Sequence, residues 1–251
     1  MADTAVRVER RGAIARITLP AGAWSGVGVR ALTALARECD SLRDDDGVRA
    51  VIISGEGENF CGDWSKTVEA RADQVAGTYF AAFQALADLP QPLIAAVNGP
   101  AHGAGLELAL TADVRIASQN ATFLLCDGES VPLSGGLTRL SRAIGRATAS
   151  WMALTGAKLS AEDARATGLV GAVLPLAQLL PEAERLAAVI ASRGPIAVRF
   201  AKEALRYGPD LPLPQALRYE TDLTVILQTT ADRAEGVDAF AQKRAPHFSG
   251  R

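Results

Sequence analysis

Between Gln91 and Ala117 the chain runs through an apolar stretch of strand length, a glycine-rich corner and a helix carrying one acid, with no linker between them. Leu93 to Val97 is continuously apolar, the pattern of a strand buried on both faces, and Asn98, Gly99 and Pro100 stop it with turn chemistry. Gly103, Ala104 and Gly105 keep side-chain bulk away from the start of the next helix, where unpaired N–H groups and the positive end of the macrodipole lie. A carbonyl oxygen that gains negative charge can dock at such a place. Glu107 follows within one helical turn of Ala104, so its carboxylate can look back over the same pocket. Each residue also has an architectural reading: a small residue suits a close helix–strand crossing, and an acid complements a helix start.

Strand-like segments at Ala13 to Leu19, Ala50 to Ile53, Leu93 to Val97 and Val114 to Ala117 alternate with helix-like ones at Val29 to Leu42, Tyr79 to Leu89 and Ala104 to Ala112. That order predicts an α/β fold with parallel crossovers. After Gly194 the strand signal fades into helix-forming sequence broken at Gly208, Pro209, Pro212 and Pro214. The reading is therefore an α/β core over residues 1–193 and a helical region over 194–251. An apolar stripe of Leu217, Leu223, Val225 and Leu227 suits either a subunit contact or the cover of the parent core.

Composition excludes several partners. With 251 residues and 49% hydrophobic content the chain can bury a large core. Its 26 basic residues against 28 acids leave no basic footprint for nucleic acid. No run is apolar enough to span a bilayer, and the charged N-terminus does not read as a signal peptide, so a cytoplasmic protein is expected. Cys39, Cys61 and Cys126 are odd in number and far apart, and the histidines are only His102 and His247, so neither a disulfide framework nor a metal site is expected. Gly26, Gly28 and Ala31 spell G-x-G-x-x-A, but Pro20 and further residues separate them from the preceding strand, so a loop entry to a helix is preferred over a dinucleotide site.

The segment around Glu107 resembles the enoyl-CoA hydratase/isomerase (crotonase) superfamily, and the resemblance covers most of the chain. Ile14 to Leu19 resembles the first strand of that family, and Val48 to Ser54 with Gly55, Gly57, Phe60 and Cys61 resembles its next strand and first oxyanion loop. Pro132, Gly135, Gly136, Thr138, Arg139 and Leu140 approximate its P-x-x-G-G-x-x-x-R-L region. Leu154, Thr155, Gly156, Ala161, Ala164, Gly168, Leu169 and Val170 follow its L-T-G and S-A-x-x-A-x-x-x-G-L-V stretch. Ala201, Lys202 and Ala204, then Glu235, Gly236, Ala239, Phe240, Lys243, Arg244, Pro246 and Phe248, follow its endings.

The resemblance implies a crotonase-like ββα spiral core, a homotrimer or homohexamer built through the C-terminal helices, and an acyl-CoA thioester substrate with no separate cofactor. It implies that two backbone N–H groups stabilise a thioester enolate. Ala104 matches the second donor; the first is Trp64 if the loop is matched without a gap, or Gly62 if it is matched on Asp63, and glycine's conformational freedom favours Gly62. Glu107 matches the acid that activates water. The second acid is Asp127 counting forward from Phe123, or Glu129 counting back from Pro132. Gly103, Gly105 and His102 are expected to border the substrate, Phe248 to contact it, and Lys66, Lys243 and Arg244 to meet the phosphates of coenzyme A. Where the family has an Asn-Ala-Leu element near coenzyme A, this chain has Trp24, Ser25 and Gly26, and no contact is transferred there. Hydration of an enoyl-CoA is the leading expectation. The alternatives are a single-acid crotonase reaction, such as double-bond isomerisation or decarboxylation, and acyl-CoA binding without turnover.

Overall fold

A computed structural model describes residues 6–20, 28–62, 72–126, 132 and 134–251. Nine strands and ten α-helices are described: β1 (Arg7–Arg11), β2 (Ile14–Leu19), α1 (Gly28–Arg43), β3 (Ala50–Gly55), α2 (Ala72–Ala87), β4 (Leu93–Val97), β5 (Ala101–His102), α3 (Ala104–Ala109), β6 (Val114–Ser118), β7 (Thr122–Leu124), α4 (Gly136–Ile144), α5 (Arg146–Thr155), β8 (Leu159–Ser160), α6 (Ala161–Ala166), β9 (Ala172–Leu174), α7 (Leu176–Ala191), α8 (Pro195–Tyr207), α9 (Leu213–Leu227) and α10 (Ala231–Ala241). The α/β expectation holds.

Six strands form one sheet in the order β1-β2-β3-β4-β6-β9, and three form a second in the order β5-β7-β8. From β2 to β9 the large sheet is parallel; β1 adds to it antiparallel as a hairpin with β2. Alternation along each central strand feeds two cores. Val51, Ile53, Leu93, Ala95 and Val97 point to the face covered by Leu32 and Leu35 of α1 and Phe83 and Leu86 of α2. Ala50, Ile52, Ile94 and Ala96 point to the face covered by Leu179, Ala183 and Ala187 of α7. A strand covered on both sides has no polar face, which is why β4 reads as an unbroken apolar run.

Several residues behind the family resemblance prove to be helix punctuation. Ser160 accepts a hydrogen bond from the Asp163 amide at 3.1 Å while the Asp163 carboxylate accepts from the Ser160 amide at 3.3 Å, a capping box that starts α6. Gly156 ends α5 at a φ of 66°, in the left-handed region. Helix α3 is shorter than the Ala104–Ala112 expected. Thr111 turns its hydroxyl back onto the Leu108 carbonyl at 2.7 Å, and Asp113 exchanges hydrogen bonds with Leu93, pulling the chain into the sheet. The apolar stripe of α9 divides: Leu223 is buried and Leu227 half-buried, whereas Leu217 and Val225 are exposed. Pro212 and Pro214 frame the first turn of α9 and do not interrupt it, because Pro214 falls where an amide would have no intrahelical partner.

Candidate active site

Where β4 ends, the Asn98 side chain organises the neighbouring loop. Its Oδ1 accepts from the Gly55 amide at 3.0 Å, and its Nδ2 donates to the carbonyls of Gly55, Gly57 and Asn59 at 3.0, 2.7 and 3.2 Å. The adjacent Gly99 must lack a side chain, since a β-carbon there would lie 1.7 Å from the Glu58 carbonyl oxygen. The loop following β3 is thus held against the corner following β4, and it delivers Cys61 to Ala101. The Cys61 amide donates to the Pro100 carbonyl, and the His102 amide donates to the Cys61 carbonyl, both at 3.1 Å.

This bridge places Gly62 one residue, and Ala104 three residues, beyond the same pair of anchored points. Gly103 turns the chain from β5 into α3 at φ 54°, ψ −117°, a region that favours glycine. The amides of Gly62 and Ala104 have no acceptor among the described residues. Gly105 lets the two backbones meet: a β-carbon there would stand 2.1 Å from the Cys61 carbonyl oxygen.

One turn into α3, Glu107 is 2% exposed. A carboxylate this buried needs donors, and its Oε1 accepts from the amides of Ser134 and Gly136 at 2.8 and 2.9 Å. Gly135 adopts a φ of 90° so that the chain can present both amides to one oxygen as α4 begins. A β-carbon at Gly136 would lie 2.8 Å from Glu107 Cγ and 2.8 Å from Leu125 Cδ1. The G-G pair is therefore the seat of the Glu107 carboxylate.

A buried acid seated on two amides, one turn from a backbone N–H with no acceptor among the described residues, narrows the identity, and likeness to known proteins completes it. The family profile described as Enoyl-CoA hydratase/isomerase matches residues 9–251. The chain belongs to this family. It is 36% identical to the 2,3-dehydroadipyl-CoA hydratase of Escherichia coli (strain K12), across the full length of both chains. It is 33% identical to the carnitinyl-CoA dehydratase of Salmonella typhi, over 98% of each. A crystal structure of an enoyl-CoA hydratase from Bacillus anthracis superposes with a TM-score of 0.93 at 34% identity, over 98% of this chain and 99% of that one. The fold is that of the crotonase superfamily.

In this member of the family the expected site residues divide. Ala104, Glu107 and Gly62 converge on the corner around the Cys61–Ala101 bridge. Trp64, Lys66, Asp127 and Glu129 lie outside the described residues. The conformational reason for choosing Gly62 does not survive: it has no positive φ, and a β-carbon there would meet nothing within 4 Å among the described residues. Gly103, expected to border substrate, spends its amide on the Leu124 carbonyl at 2.8 Å and makes the turn into α3. Gly105 clears space for the Cys61 carbonyl. The His102 ring pairs through Nε2 with Thr122 Oγ1 at 2.9 Å, which ties β5 to β7. The Phe248 ring rests against Gly194 and Gly236 and lines a cavity of about 270 Å³ with Ile196 and Leu227, among the C-terminal helices and apart from Glu107. Lys243 is exposed just past α10 at a φ of 55°, and Arg244 is engaged by Glu235, whose carboxyl it draws down to about 2.

Asn98, Ser134 and Lys202 were not anticipated as supports of this site. Lys202 bonds the Asp113 carboxylate at 2.7 Å and the Gln91 carbonyl at 2.9 Å, clamping α8 to the start of β4. Arg139, one turn along α4 from the Glu107 seat, is half-buried. Burial first, then the neighbouring Arg206, pull its guanidinium below the ordinary arginine value, while Asp88 and Glu107 act in the opposite sense. Among the described residues no cluster of three or more His, Cys, Asp or Glu can hold a metal, and no helix is long and apolar enough to cross a membrane.

Proposed function

We propose that this chain is an enoyl-CoA hydratase, adding water across the 2,3 double bond of an enoyl-CoA. The observation that carries this reading is the buried Glu107 carboxylate fixed by Ser134 and Gly136 beside the Ala104 amide. One oxygen holds the two amides, so the group is oriented before substrate arrives. Glu107 takes a proton from water as its oxygen attacks Cβ. The electron pair moves through Cα to the thioester oxygen, where the amides of Ala104 and of Gly62 or Trp64 stabilise the enolate. Asp127 or Glu129 then delivers a proton to Cα. The acyl-CoA relatives support this substrate class, and coenzyme A enters as part of the substrate.

We also propose a homotrimer or homohexamer, with residues 194–251 supplying the contacts. Leu205, Leu213, Leu217, Val225, Ile226 and Phe240 lie between 51% and 87% exposed along α8, α9 and α10, more apolar surface than a monomer usually leaves to water. Its direct test is the molar mass in solution.

The decisive experiment is Glu107→Gln. The amide oxygen still accepts from Ser134 and Gly136, so the fold stays, while the base is lost. Hydration of crotonyl-CoA, followed by loss of the conjugated thioester absorbance, should fall about 10²- to 10⁴-fold. Hydration at the wild-type rate would sink the reading.

A further inference from the structure

Three buried side-chain atoms lack a hydrogen-bond partner among the described residues: Arg16 Nε, Gln91 Oε1 and Ser134 Oγ. The first two belong to side chains otherwise engaged, Arg16 with Glu9 and Gln91 with the Leu42 carbonyl. Ser134 differs. It is 3% exposed, and its amide is one of the two that hold Glu107 Oε1. A buried hydroxyl without a partner is costly, and an alanine in its place would carry no such cost. Among the described residues nothing completes it.

Position narrows what that something is. Ser134 N lies 2.8 Å from Glu107 Oε1, and standard bond lengths keep a serine Oγ within about 4 Å of its own nitrogen. The hydroxyl is therefore at most about 7 Å from the carboxylate oxygen, a separation of the order that one bridging water spans. A buried water needs two to four polar partners, and a hydroxyl offers both a donor and an acceptor.

We infer that Ser134 Oγ is the second anchor of the water that Glu107 activates, an inference that rests on the hydratase reading. The water donates one hydrogen to the Glu107 carboxylate and the other to Ser134 Oγ, which leaves a lone pair on its oxygen facing Cβ. As the new C–O bond forms, the first O–H bond breaks and its proton passes to Glu107. The O–H held by Ser134 stays intact and becomes the β-hydroxyl of the product. In the reverse direction the same serine grips the hydroxyl of a 3-hydroxyacyl-CoA as it departs.

The experiment compares two reactions of Ser134→Ala: hydration of crotonyl-CoA, and exchange of the α-hydrogens of butyryl-CoA with deuterated water, which forms an enolate without adding water. The kcat for hydration should fall about 10- to 100-fold, with KM and α-exchange unchanged. Ser134→Cys, which adds a little volume and replaces the hydroxyl by a weak hydrogen-bonding thiol, should show the same split if the alanine variant folds poorly. Unchanged hydration, or hydration and exchange falling together, would overturn the inference, the latter by making Ser134 structural only. Failure of the unmutated protein to hydrate any enoyl-CoA would instead overturn the hydratase reading, so the two failures are distinct.

Discussion

Glu107 and Gly136 are matched atom to atom: the Gly136 amide bonds the carboxylate at 2.9 Å, and a β-carbon at position 136 would come within 2.8 Å of Glu107 Cγ and 3.0 Å of its Oε1. Gly136 lies in the first turn of α4 and carries no positive φ, so alanine there is conformationally ordinary. The clash is with the glutamate itself and with Leu125.

Gly136→Ala should therefore spare the helix and misplace the base. Overpacking at such a contact costs about 1–3 kcal/mol, and a shift of the carboxylate by about 1 Å costs on the order of 100-fold in rate. Steady-state hydration kinetics beside a denaturant melt will show whether activity falls far more than stability. Wild-type kcat in a well-folded variant would mean that Glu107 is not held where it works.

Asn98→Asp should be worse than Asn98→Ala. The aspartate keeps an acceptor for the Gly55 amide but cannot donate to the carbonyls of Gly55, Gly57 and Asn59, and it turns a negative charge on all three. Alanine leaves those carbonyls without their donor, at about 1–3 kcal/mol for each one left unsatisfied. Both variants should loosen the loop that leads to Gly62, so kcat falls with stability. Chemical denaturation of the two proteins orders them; greater stability of the aspartate form would contradict the hydrogen-bond assignment.

The Lys202 clamp makes a pH prediction. Burial is the largest influence on its ammonium and pulls it below the ordinary lysine value near 10.5, against the opposing effect of Asp113. In the window between the depressed value and 10.5 the unfolded chain binds more protons than the folded one, so the contribution of this residue to stability rises with pH. The unfolding free energy of the wild type minus that of Lys202→Met should thus move in favour of the wild type as pH climbs toward 10.5. A difference that moves the other way would show that attraction to Asp113 outweighs burial.

What could be read from the sequence was what is local. The apolar run of β4, its Asn98-Gly99-Pro100 stop and the acid at 107 are neighbours in the chain, and period and turn chemistry reveal them. The partners of Glu107 are not: Ser134 and Gly136 lie 27 and 29 positions away, and no spacing rule links an acid in one helix to two amides ahead of another. Asn98 announced a turn, yet its work is done on residues around 40 positions earlier. The glycines of the corner were legible as glycines but not in their reasons. Space for a ligand was the expectation, whereas Gly103 answers to its own φ and Gly105 to the Cys61 carbonyl. Strands of two or three residues such as β5 and β7 are too short to show a period at all.

Gly105 provides the sharpest test of that packing role. If its role were to admit substrate, a methyl group would mainly weaken binding, and Gly105→Ala would raise KM with kcat and stability little changed. The 2.1 Å approach to the Cys61 oxygen demands something else. Backbone cannot rotate out of the way as a flexible side chain can, so either α3 or the Cys61 strand must move, and with it the spacing between the amides of Ala104 and Gly62. Displacing packed main chain costs upward of about 1–3 kcal/mol, and loss of a well-placed oxyanion donor costs about 10²- to 10³-fold in kcat. The expected result is a lower melting temperature and a collapse of kcat with substrate affinity largely kept, measured by calorimetry, hydration kinetics and direct titration with an unreactive acyl-CoA. A change confined to KM would restore the substrate-facing role of this glycine.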